Sequence, residues 1–301
     1  MSLLSDILQR TRADVNKRRA LLPLSELQRR AKDAAPTRSL AQALSNGFSI
    51  IGEIKQRSPS ADAMNPRNLE DARSVYNDSP VIAAISVLTD EPFFGGSLER
   101  LQQVRKGTNK PLLRKDFIVD EYQVWEARAF GADAMLLMCS VHEREPDRLR
   151  ALFDLAKSVG LETLVEIGMS ETSPEQQAAM VPSDAEIWGI NSRRFESGLR
   201  MRATKLLGED KTTFPQRHRQ LRHLIPPGKI AVAESGIHKP VDIDALVKLG
   251  YNAALIGTAF LKSERRIADI VSDFSKHIAN LKPSAADSAN PVHPWQRTAS
   301  R

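Results

Sequence analysis

The feature that most constrains the fold of this chain is a junction used three times: an amphipathic stretch, one glycine, then a short apolar run. Gly131 closes the stretch from Tyr122 and precedes the run Ala134 to Met138. Gly160 closes the stretch from Asp147 and precedes Thr163 to Ile167, and Gly250 closes Val241 to Leu249 and precedes Ala253 to Ile256. Glycine just past a helix takes the left-handed C-cap conformation at little cost. A strand that begins within three residues of such a cap leaves room for a tight turn and nothing more. Helix, glycine and strand together predict a repeated βα unit.

The remaining apolar runs extend that pattern. Reading Ser49 to Ile54, Val81 to Val87, Pro111 to Arg114, Ala134 to Met138, Thr163 to Ile167, Ile187 to Ile190, Ile230 to Ala233 and Ala253 to Ile256 as strands gives eight. They recur every 20 to 40 residues or so, with longer amphipathic stretches between them, which is the signature of a parallel α/β sheet. Eight is the number that closes a (βα)8 TIM barrel. A doubly wound open sheet is the structural alternative, but no Gly-x-Gly-x-x-Gly follows the first strand.

Ahead of the first strand, Leu4, Ile7 and Leu8, then Leu21, Leu24 and Leu27, then Leu40 and Leu44 fall at helical spacing. Residues 1–46 are therefore expected to be an N-terminal helical extension and 47–282 the barrel. Within the barrel, Leu199 to Gly228 is long and strongly charged, so an insertion is expected near 199–215, before a helix at Gln216 to Leu224. The end of the chain, 283–301, is rich in Ala, Ser, Pro and Asn and is expected to be a disordered tail.

Composition removes several classes of function. With 41% hydrophobic and 27% charged residues among 301, the chain can bury a large core. No run of about 18 apolar residues offers a membrane span. The N-terminus carries Asp6, Arg10, Arg12, Asp14 and Lys17 where a signal peptide needs an apolar core, so a cytoplasmic protein is expected. The lone Cys139 adjoins Met135 to Met138 and reads as a packed core thiol. The net charge of +6 is spread along the chain and interleaved with acids, which fits a small anionic substrate as well as nucleic acid. The six histidines lack metal-ligand spacing, so no metal site is expected, and His218 and His223 read as solvated residues of a basic segment.

Function in a parallel barrel gathers where the strands end, because the βα loops there form the open face. The first strand ends in Glu53, Ile54 and Lys55, with Arg57 and Ser58 beyond; the third ends in Lys115. The fifth ends in Glu166, the sixth in Asn191, Ser192 and Arg193, the seventh in Glu234, Ser235 and Gly236, and the eighth in Gly257 and Thr258. Lysines and glutamates opposed in a half-enclosed mouth are suited to acid-base chemistry, since burial and charge pull their pKa values in opposite directions. After the last two strands, Glu234-Ser-Gly-Ile237 and Ile256-Gly-Thr-Ala259 each place a small residue beside a glycine, and the second leads into a short helix at Ala259 to Lys262. Paired glycine turns at that position make the usual phosphate site of such barrels.

At these residues the chain resembles the indole-3-glycerol phosphate synthase family. The matching stretches are Ile51-Gly-Glu-Ile-Lys-Gln-Arg-Ser-Pro-Ser60, Ser86-Val-Leu-Thr-Asp-Glu-Pro-Phe-Phe-Gly-Gly-Ser97, Leu113-Arg-Lys-Asp-Phe-Ile-Val119, Leu164-Val-Glu-Ile167, Gly189-Ile-Asn-Ser-Arg193 and Ala233-Glu-Ser-Gly-Ile237, within a similarity from about Leu4 to Leu281. The resemblance implies ring closure, decarboxylation and dehydration of 1-(2-carboxyphenylamino)-1-deoxyribulose 5-phosphate, in tryptophan biosynthesis, without a cofactor. It implies that Lys115 is the general acid at the substrate carbonyl oxygen, that Glu166 takes part in proton transfer, and that Lys55 contacts phosphate and assists loss of the hydroxyl. Glu53 and Asn191 would orient these lysines and the substrate hydroxyls, and Arg193 would be a further substrate-facing cation. Ser58 would lie near the anthranilate carboxylate, Phe94, Phe117 and Leu136 would wall the aromatic ring, and Ser235, Gly236, Gly257 and Thr258 would cradle phosphate. The implied helical extension would cover the barrel mouth, and the expected partner is a small phosphorylated molecule, with no nucleic acid or membrane, on a monomer or weak homo-oligomer.

The chain departs from the family pattern after Ser60. Ala61-Asp-Ala-Met64 stands where a lysine and a glycine are usual, and the loop at 61–66 looks shorter. Two alternatives follow: a paralogue with the same chemistry in a specialised indole pathway, and a non-catalytic phosphate-binding barrel. The second requires a degraded polar set, and Glu53, Lys55, Lys115, Glu166, Asn191 and Ser235 are all present.

Overall fold

A computed structural model describes residues 3–57, 63–194 and 214–281. Three helices come first, α1 (Leu3–Leu21), α2 (Leu24–Asp33) and α3 (Leu40–Leu44). Strand β1 (Ser49–Ile54) is followed by α4 (Pro66–Asp78), β2 (Ile82–Leu88), α5 (Glu91–Phe94), α6 (Leu98–Lys106) and β3 (Leu112–Lys115). Then come α7 (Glu121–Ala129), β4 (Ala134–Met138), α8 (Pro146–Ser158), β5 (Glu162–Met169), α9 (Pro174–Met180) and β6 (Ile187–Arg194). The last quarter carries α10 (Gln216–Leu221), β7 (Ile230–Glu234), α11 (Asp242–Lys248), β8 (Ala253–Ile256), α12 (Thr258–Leu261) and α13 (Ile267–Ala279). All strand pairs are parallel, and β1 pairs with both β2 and β8, so the sheet closes into a barrel.

Local chemistry explains the element edges. Gly131, Gly160 and Gly250 have φ of 87°, 79° and 74°, the left-handed caps expected of them. Asp120 and Gln123 form a capping box at the start of α7, and Ser173 and Gln176 form one at α9, each satisfying backbone N–H groups that a helix start leaves open.

Strand alternation sorts the core into two layers. Ile51, Leu113, Leu136, Leu164, Val232 and Leu255 fill the barrel interior. Their neighbours Ile50, Leu112, Met135, Val165, Ala231 and Ile256 pack outward. The interior parity then runs upward into polar residues: Ile51 to Glu53, Leu113 to Lys115, Leu164 to Glu166, Ile187 to Asn191, Val232 to Glu234. Several strands consequently extend past their apolar runs, β3 through Lys115, β6 through Arg194 and β7 through Glu234. An apolar run stops at the first polar residue, whereas the hydrogen-bonded ladder continues wherever inward polar groups find partners.

The N-terminal helices occupy both ends of the barrel. Leu40 and Leu44 of α3 belong to the interior cluster, and the Ala41 N–H donates to Glu162, the first residue of β5, at 2.8 Å. Ile7 of α1 joins the same cluster, and α1 reaches α7 through Arg18 on Glu126 at 2.6 Å. No described helix is long and apolar enough to cross a membrane.

Candidate active site

The carboxyl ends of the strands enclose a cavity of about 560 Å³, lined by Glu53, Lys55, Phe94, Lys115, Phe117, Leu136, Glu166, Asn191, Ser235, Gly236, Gly257 and Thr258 among others. These are the residues expected there from the sequence, apart from two. Ser58 lies outside the described residues, as does the side chain of Arg193. The departing loop residues Ala61 and Asp62, most of the charged insertion at 199–215 and the tail at 283–301 also fall outside them.

Lys115 is the centre of the polar floor. Its Nζ donates to Glu234 Oε2 at 2.6 Å and lies 3.6 Å from Glu166 Oε2, with 15% of its side chain exposed. Glu166 accepts from Asn191 Nδ2 at 3.1 Å, and Ser235 Oγ donates to Asn191 Oδ1 at 2.9 Å. Lys55 donates to Glu53, both nearly buried. A Cβ at Gly257 would collide with Glu53, and one at Gly189 would collide with Glu234, so glycine at both positions makes room for the carboxylates.

Burial draws the Lys115 ammonium toward neutrality, but Glu234, Glu166 and Glu53 outweigh it and hold its pKa above the ordinary lysine value. Glu166 moves the other way for a carboxylate. Burial and then the Glu234 charge push it up to about 8, against the pull of Lys115 and Asn191. A proton donor and a carboxylate poised near neutrality thus stand side by side, which is what a coupled acid-base pair requires.

The apolar wall rises beside them. The Phe94 and Phe117 rings are 6.2 Å apart and tilted by 39°, and both are buried. Asp90 fixes Phe94 by accepting from the Phe93 and Phe94 N–H groups at 2.8 and 3.2 Å, which caps α5. Opposite the wall, Ser235 and Gly236 take φ of 69° and 81°, two successive left-handed residues that turn the chain sharply after β7.

A model of the indole-3-glycerol phosphate synthase family matches residues 4–271. The chain belongs to that family. A relative named indole-3-glycerol phosphate synthase from Kineococcus radiotolerans is 37% identical over 90% of this chain and 96% of its own length. One of the same name from Nocardioides sp. is 40% identical over 87% and 94%. Indole-3-glycerol phosphate synthases are carboxy-lyases of tryptophan biosynthesis. Among solved structures, an orotidine 5'-phosphate decarboxylase from Pyrococcus horikoshii aligns with a TM-score of 0.54 at 13% identity, covering 77% of this chain and all of that one. An N-(5'-phosphoribosyl)anthranilate isomerase from Pyrococcus furiosus aligns at 0.51 and 11%, with the same coverage. Both likenesses are of fold.

Two residues differ from what the sequence leads one to expect. Glu234 stood at a strand end and was assigned no role, yet it is the nearest partner of Lys115. Its parity with Val232 was the available signal. His218 was expected to be solvated, and the structure corrects this: it is fully buried, with Nε2 3.2 Å from the Ser235 carbonyl. Its neighbours Arg217, Arg219 and Arg222 mark a polar segment, but α10 is short and lays one face against the barrel. Cys139 is buried as expected, and burial pushes its thiol up to about 12.

Proposed function

We propose that this chain catalyses the indole-3-glycerol phosphate synthase reaction, converting 1-(2-carboxyphenylamino)-1-deoxyribulose 5-phosphate to indole-3-glycerol phosphate, carbon dioxide and water. The observation that carries this reading is Lys115 Nζ set between Glu234 and Glu166 on the floor of an aromatic-walled cavity. Ring closure moves an electron pair from the aromatic carbon onto the substrate carbonyl carbon, so the carbonyl oxygen must take up a proton. Lys115 supplies it, and Glu166, raised to about 8 and so largely protonated near neutral pH, returns a proton to the lysine. The carboxyl group then leaves as carbon dioxide, returning its electron pair to the ring.

Dehydration needs a proton on the departing hydroxyl and a base for the adjacent carbon. Lys55, tied to Glu53, assists the hydroxyl, and Glu166 takes part in proton transfer. Asn191 holds Glu166 in place, and Phe94, Phe117 and Leu136 take the anthranilate ring. Ser58 is assigned to the anthranilate carboxylate and Arg193 to a further substrate contact on the family resemblance. The turns at Ser235 and Gly236 and at Gly257 and Thr258, with Lys55, bind the phosphate, whose remote binding energy orients the reacting end.

Of the extension at residues 1–46, α1 covers the mouth, supported by Ile7 in the cluster that holds Phe94 and Phe117, while α3 lies at the opposite end, bonded to the start of β5. The protein acts in the cytoplasm on a small phosphorylated molecule, with no nucleic acid or membrane partner, as a monomer or weak homo-oligomer. The test is to incubate pure protein with the carboxyphenylamino-deoxyribulose phosphate and follow indole fluorescence. Product formation is expected; its absence with wild-type protein would end this reading.

A further inference from the structure

We propose that His218 is a positioning residue for the phosphate-binding turn: its Nε2–H donates to the Ser235 carbonyl oxygen and holds Ser235 in the left-handed conformation. The inference rests on the reading of Ser235 and Gly236 as a phosphate site.

Among the described residues, Ser235 is the one non-glycine with positive φ, at 69°. A β-carbon makes that conformation costly, and it persists only where surrounding contacts over-determine it. Three groups do so here. Ser235 Oγ donates to Asn191 Oδ1 at 2.9 Å, Ser192 Oγ donates to the Ser235 carbonyl at 3.3 Å, and His218 Nε2 approaches the same carbonyl at 3.2 Å.

The histidine is itself clamped. Its ring meets those of Phe214 and Tyr251 edge-on, each with centroids 5.6 Å away. Tyr251 Oη donates to the His218 carbonyl at 3.1 Å. Phe214 also covers the turn, since a Cβ at Gly236 would lie 3.0 Å from Phe214 Cβ. From the same helix, Arg217 Nη1 donates to the Ser192 carbonyl at 2.7 Å. Helix α10 thus ties the ends of β6 and β7 together beside the cavity.

Chemistry decides the tautomer. A carbonyl oxygen only accepts, so Nε2 carries the hydrogen and Nδ1 is the bare nitrogen. Among the described residues Nδ1 is buried with no partner, which costs stability that a phenylalanine or leucine in the same space would not incur. The residue's use therefore lies in its one donor. Burial holds the imidazole pKa down to about 4, so the ring is neutral and acts on the turn by geometry, with no charge of its own to offer a phosphate.

The experiment compares full-length wild type, His218→Phe and His218→Gln. Phenylalanine keeps the ring packing and deletes the donor, whereas the glutamine amide restores a donor at the same reach. The readouts are competitive inhibition by inorganic phosphate, KM and kcat for the phosphorylated substrate, and Tm. We expect His218→Phe to weaken phosphate and raise KM about tenfold, the scale of one lost hydrogen bond, with kcat within about twofold and Tm undiminished. Recovery in His218→Gln is expected to within about threefold. Unchanged phosphate inhibition in a folded His218→Phe, or no recovery in a folded His218→Gln, would overturn the proposal; His218→Leu takes the place of phenylalanine if that variant does not fold. Failure of phosphate to compete with wild type would instead overturn the phosphate assignment beneath it.

Discussion

Strand β3 carries a charged cluster on each face, and the two differ in how fully their groups are satisfied. On the outer face, Arg114 is wholly buried and donates to Thr89 Oγ1 at 3.0 Å, the Gln123 carbonyl at 2.7 Å, Asp116 Oδ2 at 2.8 Å and Glu126 Oε2 at 3.1 Å. Arg18 completes Glu126 from α1. On the inner face, Glu53, Glu166 and Glu234 surround Lys55 and Lys115, and among the described residues no donor reaches the buried Glu234 Oε1. A satisfied network fixes its neighbours; an unsatisfied one keeps interactions in reserve for a ligand. The outer cluster accordingly fastens α1 and α7 to the barrel, while Asp116 accepts the Phe117 N–H at 2.8 Å and sets the aromatic wall. The proposed mechanism needs charge that can change partners, which the inner cluster supplies.

The contrast can be broken from either side. Lys115→Ala is expected to cut kcat by about a thousandfold, the usual scale for a lost general acid, with substrate binding largely kept because the phosphate turns are untouched. Steady-state kinetics and equilibrium binding check this, and an undiminished kcat would remove Lys115 from the mechanism. Arg114→Met should do the reverse. It leaves Asp116 and Glu126 buried without their cation, costing about 3 kcal/mol in denaturant unfolding, while the folded enzyme keeps its kcat. A large loss of kcat at unchanged stability would show that the outer cluster is not merely structural.

Glu234→Gln sharpens the inner side. Removing that charge takes away a cause that raises both Lys115 and Glu166, so the Glu166 titration should move down from about 8 and the pH-rate limb should shift toward acid. A loss of about tenfold in kcat is expected alongside, and a limb that stays in place would separate Glu166 from the rate. The smallest effect concerns Asp90, beside the outer cluster, whose carboxyl is pushed up to about 6 by burial and by Asp116. A folded pKa above the unfolded value gives stability that is present below about 3.8 and lost as pH rises through about 6. Asp90→Asn should therefore raise Tm by roughly 2–4 °C at pH 8, for about 1 kcal/mol, and by less at pH 4.5, as thermal melts would show.

Much of this was legible in the sequence because it is carried by local rules. The glycine caps, the eight apolar runs and the polar residue at each strand end follow from backbone sterics and the period-two alternation of strands. That alternation explains why Glu53, Lys55, Lys115, Glu166 and Asn191 share one cavity with Phe117 and Leu136. What local rules leave hidden depends on long-range contacts. The role of Glu234 is hidden because its partner Lys115 lies 119 residues away, and the burial of His218 is hidden because its charged neighbours conceal which face α10 buries.

The sequence by itself determined the barrel and which groups reach its mouth, since each depends on residues close together in the chain. Tertiary structure alone decided which carboxylate holds Lys115, how far burial and charge move Glu166, and that a histidine from the segment before β7 supports the Ser235 turn. Those outcomes depend on distance and dielectric between residues far apart in sequence, and only closure of the barrel sets either.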